Sequence, residues 1–156
     1  MRKYKIGMVQ VNNSFSGQNY LPLSLGFLVS YAEFHCKNFN DYDFLNPIYK
    51  RVPIKDAVEQ YKDCDIVAFS VYVWNNNISM RIAKALKEVN PNILTIAGGC
   101  HIPERPEYIE KYMADNPYLD IASIGEGERV FTDFLEKYPT GNWGEVESLI
   151  YRDGDK

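Results

Sequence analysis

The sequence is short of the residues that build metal clusters and covalent cross-links. Its three cysteines, Cys36, Cys64 and Cys100, are odd in number and far apart, and they form no CxxC pair. Disulfides, zinc and iron–sulfur ligation therefore find no support, and a reducing cytoplasm is the expected compartment. No apolar run reaches the roughly 20 residues that a membrane span needs, and no signal peptide precedes Tyr4. The net charge is −4 and the basic residues are scattered, so there is no electrostatic footprint for nucleic acid. A phosphate-cradling P-loop is missing too. These absences leave neither a membrane protein, a disulfide scaffold nor a nucleic-acid binder.

What is present is regular. The chain has 156 residues, 46% of them hydrophobic, enough for one domain with a proper core. Strands and helices alternate. Lys5 to Val11 reads as a strand, Leu21 to Cys36 as a largely apolar helix with Leu25, Leu28, Val29 and Ala32 inward, and Asp43 to Tyr49 as a weaker strand. Ile54, Ala57, Val58 and Tyr61 repeat at helical spacing, and Ile66 to Phe69 is a continuous apolar run, as in a strand covered on both faces. A polar Asn75-Asn76-Asn77 loop precedes a helical stripe from Ile78 to Val89, which Asn90-Pro91 stops. The strand Ile93 to Ala97, a helix around Tyr108 to Met113, the strand Ile121 to Ile124 and a helix from Val130 to Tyr138 follow.

Five strand–helix units in this order predict a doubly wound, Rossmann-like α/β fold: a mainly parallel five-stranded sheet with helices on both faces. Residues 1–139 are expected to form that domain. Residues 140–156 read as a linker and strand, because Leu149-Ile150-Tyr151-Arg152 looks like another strand and Asp153-Gly154 is a hairpin turn signal without a returning strand. That ending points to a following C-terminal domain.

Doubly wound sheets bind ligands beyond the carboxyl ends of their strands. The unusual sequences lie there: Asn12 to Leu21, Ser70 to Asn77, Gly98 to Pro106 and Gly125 to Glu128. Gly98-Gly99 is the most informative, since two residues without side chains at a strand end let backbone approach something large and flat, or a phosphate. A dinucleotide-binding domain would need its glycine-rich turn after the first strand, where Asn12 to Gly17 holds none. A phospho-receiver domain would need acidic residues where Gln10, Asn12 and Ser70 stand.

Ser70-Val71-Tyr72 followed by Gly98-Gly99 resembles the serine and double-glycine elements of cobalamin-binding domains. The likeness is sharpest to the cobalamin-binding domains that precede radical S-adenosylmethionine cores. Leu21-Pro22-Leu23-Ser24-Leu25-Gly26 resembles their proline-led first helix, Gly98-Gly99-Cys100-His101 with Pro106-Glu107 their GGxH…PE pattern, and Gly125-Glu126-Gly127-Glu128 their GEGE turn. The tail from Leu149 to Gly154 is similar to the strand and turn leading into the radical domain.

The resemblance implies a cobalamin-binding module. Ser70, Gly98 and Gly99 are expected beside the cofactor's nucleotide, Gly125, Glu126 and Gly127 at the same site, and Leu23 and Ser24 near the lower face of the corrin. Tyr72, Val73 and Trp74 are expected to face the ligand or the following domain. His101 is expected to support the nucleotide loop by hydrogen bonding rather than to bind metal or act as a base. Methionine-synthase-like relatives place an Asp-x-His-x-x-Gly histidine under cobalt; aligned on Gly26, those Asp and His positions hold Leu21 and Leu23. Cobalamin is therefore expected without a histidine lower ligand. The three-cysteine loop of a radical core is absent, which assigns S-adenosylmethionine, the iron–sulfur cluster and any methyltransferase chemistry to a core in cis. The same sequence also fits a cofactor-free Rossmann-like domain that recognises substrate or mediates assembly. The identity of any substrate is not readable from these residues.

Overall fold

The computed structural model describes residues 2–152. The elements run β1 (Tyr4–Val9), β2 (Ser14–Phe15), β3 (Gln18–Asn19), α1 (Leu23–His35), β4 (Tyr42–Phe44), α2 (Ile54–Tyr61), β5 (Ile66–Ser70), α3 (Asn76–Val89), β6 (Leu94–Gly98), α4 (Pro106–Asp115), β7 (Ile121–Ser123), α5 (Gly127–Lys137) and β8 (Leu149–Tyr151). The sheet order is β4-β1-β5-β6-β7-β8. Pairing is parallel from β4 through β7, and β8 closes the edge antiparallel to β7. This is the expected doubly wound α/β architecture.

Alternation along the strands sends side chains to opposite faces. Val67, Phe69 and Ala97 join Ala57 and Tyr61 of α2, Ile82 and Leu86 of α3, and Ile109 and Met113 of α4 in one core. Ile6, Met8, Ala68, Ile96 and Ile121 join Leu25 and Ala32 of α1 and Phe131, Phe134 and Leu135 of α5 in the other. Burying both faces explains why the central strands read as unbroken apolar runs. No helix among the described residues is long and apolar enough to cross a membrane.

Two expectations are corrected, and one stretch gains structure that the sequence did not announce. The sheet has six strands, not five, because Leu149–Tyr151 pairs with Ile121–Ser123 and adds an antiparallel edge. The proposed turn at Asp153-Gly154 lies outside the described residues. The stretch from Asn12 to Leu21 contains a small hairpin in which Ser14 pairs with Asn19 and Phe15 with Gln18. Ser16 and Gly17, both at positive φ, make its tip, and two-residue strands are too short to show periodicity in sequence. Finally, α3 begins at Asn76, so Asn76 and Asn77 are helical rather than loop residues.

Candidate functional site

At the carboxyl ends of β5, β6 and β7 the sheet carries a row of three small residues. The register sets Ser70 opposite Gly98 and Ala97 opposite Ala122, so Ser123 flanks Gly98 on its other side. A Cβ built on Gly98 would collide with the Ser123 hydroxyl. Glycine thus leaves a gap into which the Ser123 hydroxyl leans, along an edge whose two serines, Ser70 and Ser123, are 6% and 9% exposed. Among the described residues neither serine hydroxyl has a hydrogen-bond partner; the Ser70 carbonyl accepts from the Asn75 side-chain amide.

The gap opens into a cleft of about 280 Å³ between the N-terminal turns of α1 and α5. Below the serines its wall becomes apolar, with Ala68 and Ile96 from the sheet, Leu28 from α1 and Phe131 from α5. Glu126 and Glu128 stand at its mouth beside the start of α5, where carboxylates complement the helix dipole. The cleft is apolar at depth, with hydroxyls and side-chain-free backbone near its mouth, a polarity that suits an aromatic ring with polar atoms at one end.

The loop after β5 is built to stay in place. Asn75 is fully buried; its side-chain oxygen accepts from the Tyr72 N–H at 2.8 Å and its amide donates to the Ser70 carbonyl at 3.1 Å. The Tyr72 hydroxyl shares a 2.7 Å hydrogen bond with the Ser24 hydroxyl at the start of α1. The Tyr72 ring stacks on Trp74, with centroids 4.6 Å apart and planes 8° from parallel. Gly99 has φ +113°, and a Cβ there would lie 2.7 Å from the Val71 carbonyl oxygen. That carbonyl accepts from the His101 N–H at 3.2 Å, while the Val71 N–H donates to Gly98 at 2.7 Å.

Most of the residues singled out from sequence converge on the cleft: Ser24, Ser70, Tyr72, Gly98, Gly99, Gly125, Glu126 and Gly127 all line it. Val73 and Trp74 lie on the loop above, 76% and 49% exposed. Leu23 falls on another side of α1, in a groove with Met8 and Phe44. The structure does not bring His101 into the cleft wall; its ring meets Tyr112 edge-on, with centroids 6.2 Å apart. His35, the other histidine, is exposed at the end of α1 and packs on Tyr31 at 4.2 Å. Among the described residues no group of His, Cys, Asp and Glu is arranged to hold a metal ion.

Sequence reading missed Ser123 and the apolar floor. Ser123 ends the run Ile121 to Ile124 and looks like an ordinary strand end. Its equivalence to Ser70 is visible only once β6 separates them in the sheet. Ala68 and Ile96 gave no signal beyond burial.

In open α/β sheets the crevice beyond the carboxyl ends of the strands is where ligands bind, and this cleft lies there. The B12 binding domain model matches residues 7–135, and the chain belongs to that family. It is 39% identical over 117 residues to the cobalamin-dependent radical SAM methyltransferase TokK of Streptomyces tokunonensis, covering 74% of this chain and 17% of that protein. It is 37% identical over 116 residues to the 2-(S-pantetheinyl)-carbapenam-3-carboxylate methyltransferase of Streptantibioticus cattleyicolor, again covering 74% of this chain and 17% of the relative. The chain thus spans about a sixth of these relatives' length. The fold matches that of the cobalamin-dependent S-adenosylmethionine radical enzyme OxsB, whose structure has aqua-cobalamin and S-adenosylmethionine bound. The TM-score is 0.74 at 20% identity, over 97% of this chain and 21% of that one.

Proposed function

We propose that this chain binds cobalamin, with the nucleotide tail in the cleft between α1 and α5 and the corrin lying over the carboxyl ends of the strands. The observation behind this reading is the cleft edge, where side-chain-free Gly98 stands between Ser70 and Ser123 and a Cβ would strike the hydroxyl of cleft-lining Ser123. Gly99 brings bare backbone to the same edge, and Gly125 to Gly127 form the opposite lip. Aligned on Gly26, Leu21 and Leu23 stand at the Asp and His positions of methionine-synthase-like relatives, and both are exposed. On this reading the chain holds the cofactor without a histidine ligand, with Ser24, Val73 and Trp74 available to its lower face, while Leu23 faces the separate groove with Met8 and Phe44.

Cobalamin supplies cobalt-centred group-transfer chemistry when bound, and the protein supplies burial and orientation. In the longer polypeptide that the relatives suggest, a following core in cis would carry the iron–sulfur cluster and S-adenosylmethionine, and the whole protein would act as a methyltransferase. The buried free thiols of Cys36 and Cys64 suit a reducing cytoplasm.

Equilibrium titration with hydroxocobalamin, followed by visible absorbance and by tryptophan fluorescence, tests the reading. Saturable one-to-one binding is expected. A folded protein that shows no saturable binding overturns it and leaves the cofactor-free recognition domain as the surviving reading.

A further inference from the structure

We infer that the cleft selects the chemical class of the cofactor's lower base: it takes a benzimidazole-type base, apolar in its six-membered ring, and rejects a purine. This rests on the cobalamin reading above and deepens it.

The argument follows the polarity of the slot with depth. The nucleotide remains tethered to the corrin through its sugar and phosphate, so the five-membered ring, which carries the glycosidic bond, stays toward the mouth. The six-membered ring enters first and goes deepest. At the mouth stand the Ser70 and Ser123 hydroxyls, nine-tenths buried and unpartnered among the described residues, on either side of the side-chain-free Gly98. A five-membered ring with one free nitrogen acceptor finds a hydroxyl donor at that level.

Two residues further down the strands, about 6.6 Å deeper at the parallel-strand rise, the same face presents Ala68 and Ile96. Leu28 and Phe131 close over them from the helices. None of these four side chains has a hydrogen-bonding atom. The edge carbons and methyl groups of a benzimidazole bury there at a gain. The ring nitrogens and exocyclic amine of a purine would be stripped of water and left unpaired, which is the arrangement hydrogen-bond energetics penalise most.

The contrast between the two levels is what makes the site discriminating. A uniformly polar slot would accept either base, and a uniformly apolar one would leave the free nitrogen of both unpaired. Here the hydroxyls sit where both bases carry nitrogen, and the aliphatic floor sits where only the purine does. Ile96 and Ala68 are therefore positioned as specificity determinants, with Phe131 as the facing wall.

The test compares three corrinoids on the 156-residue chain by equilibrium dialysis: cobalamin, the adenine-containing cobamide, and cobinamide, which lacks the nucleotide. Cobalamin is expected to bind at least tenfold more tightly than the adenine form, and more tightly than cobinamide. Ile96→Thr and, separately, Ala68→Ser place a hydroxyl on the floor, and each is expected to narrow the cobalamin-to-adenine ratio at least threefold. Circular dichroism establishes that each variant is folded. Equal affinity for the two nucleotide-bearing forms, both above cobinamide, overturns the selection and leaves cobalamin binding standing. So does a ratio that neither folded variant moves. Failure of all three corrinoids to bind overturns the cobalamin reading itself, and the inference with it.

Discussion

Gly99 and Val71 are held backbone against backbone: a Cβ on Gly99 would lie 2.7 Å from the Val71 carbonyl oxygen and 3.1 Å from its nitrogen. Gly98, one residue earlier, meets something softer, the rotatable hydroxyl of Ser123. Two adjacent glycines thus serve different ends. Gly99 lets the chain turn at φ +113° against an unyielding neighbour, and Gly98 makes room for the Ser123 hydroxyl at the edge of the cleft.

Alanine separates these roles. Gly99→Ala is expected to destabilise the fold by about 1–3 kcal/mol through backbone strain, seen as a lower urea midpoint. Gly98→Ala only displaces the Ser123 hydroxyl, so its midpoint should stay close to wild type. Its new methyl group nonetheless stands in the slot, and hydroxocobalamin affinity should fall at least tenfold. A Gly98→Ala protein that binds like wild type would show that the ligand lies elsewhere.

The difference between these glycines was not legible in sequence, although the pair itself was. The doubly wound class, the two-faced core and the cleft's position at the strand ends follow from where apolar runs alternate with turn residues, because covering both faces of a parallel sheet forces that pattern. Local signals failed where a residue's task is set by distant partners. Asn75 reads as one of three loop asparagines, yet it is fully buried and ties Ser70 to Tyr72. His101 sits in the most suggestive motif, and its ring turns toward Tyr112 on the other side of the sheet edge. Ser123 acquires meaning only through the register across β6. The sixth strand was visible as an apolar triplet, but its antiparallel return to β7 depends on the helical turns between Tyr138 and Glu145.

Tyr72 ties the loop after β5 to α1 through the Ser24 hydroxyl and stacks on Trp74. Tyr72→Phe keeps the stack and removes the hydrogen bond, so it should cost about 0.5–1.5 kcal/mol of stability, measured by urea unfolding. Tyr72→Ala removes both. The tryptophan fluorescence maximum, to which Trp74 and Trp143 both contribute, should shift further to the red in Tyr72→Ala than in Tyr72→Phe. Equal spectra in the two variants would show that the stack does not form in solution.

Arg152 anchors the chain as it leaves β8. Its guanidinium donates to the carbonyls of Leu119 at 2.9 Å, Asn116 at 3.2 Å and Met113, the last two at the end of α4. A cation there also complements the helix dipole. Arg152→Met keeps the aliphatic stem and removes all three donors, and should lower stability by about 1–3 kcal/mol. Lysine reproduces the charge but not the planar fork, so Arg152→Lys should recover less than half of that loss. Full recovery by lysine would show that charge alone matters. Thermal unfolding followed by circular dichroism reads all three proteins.

Alkaline pH should loosen the fold through its buried tyrosines. Burial pushes the Tyr61 and Tyr112 hydroxyls up to about 12 from 10.0, and the Cys64 thiol up to about 11 from 9.0. The neutral form is the one the fold prefers, so the full contribution is present below the unfolded-state values. Between those values and the folded ones the unfolded chain gives up protons that the folded chain keeps. Stability must then fall with rising pH, by about 1.4 kcal/mol per pH unit for each such group. Urea midpoints at intervals from pH 8 to pH 11 should be flat at first and then drop. Tyr61 also hydrogen-bonds the carbonyls of Met8 and Asn46, at 2.9 and 2.7 Å. Tyr61→Phe should therefore be less stable at pH 8 by about 1–3 kcal/mol, yet lose less than wild type between pH 10 and pH 11. Parallel pH profiles for the two proteins would mean that Tyr61 ionises as readily folded as unfolded, which its burial forbids.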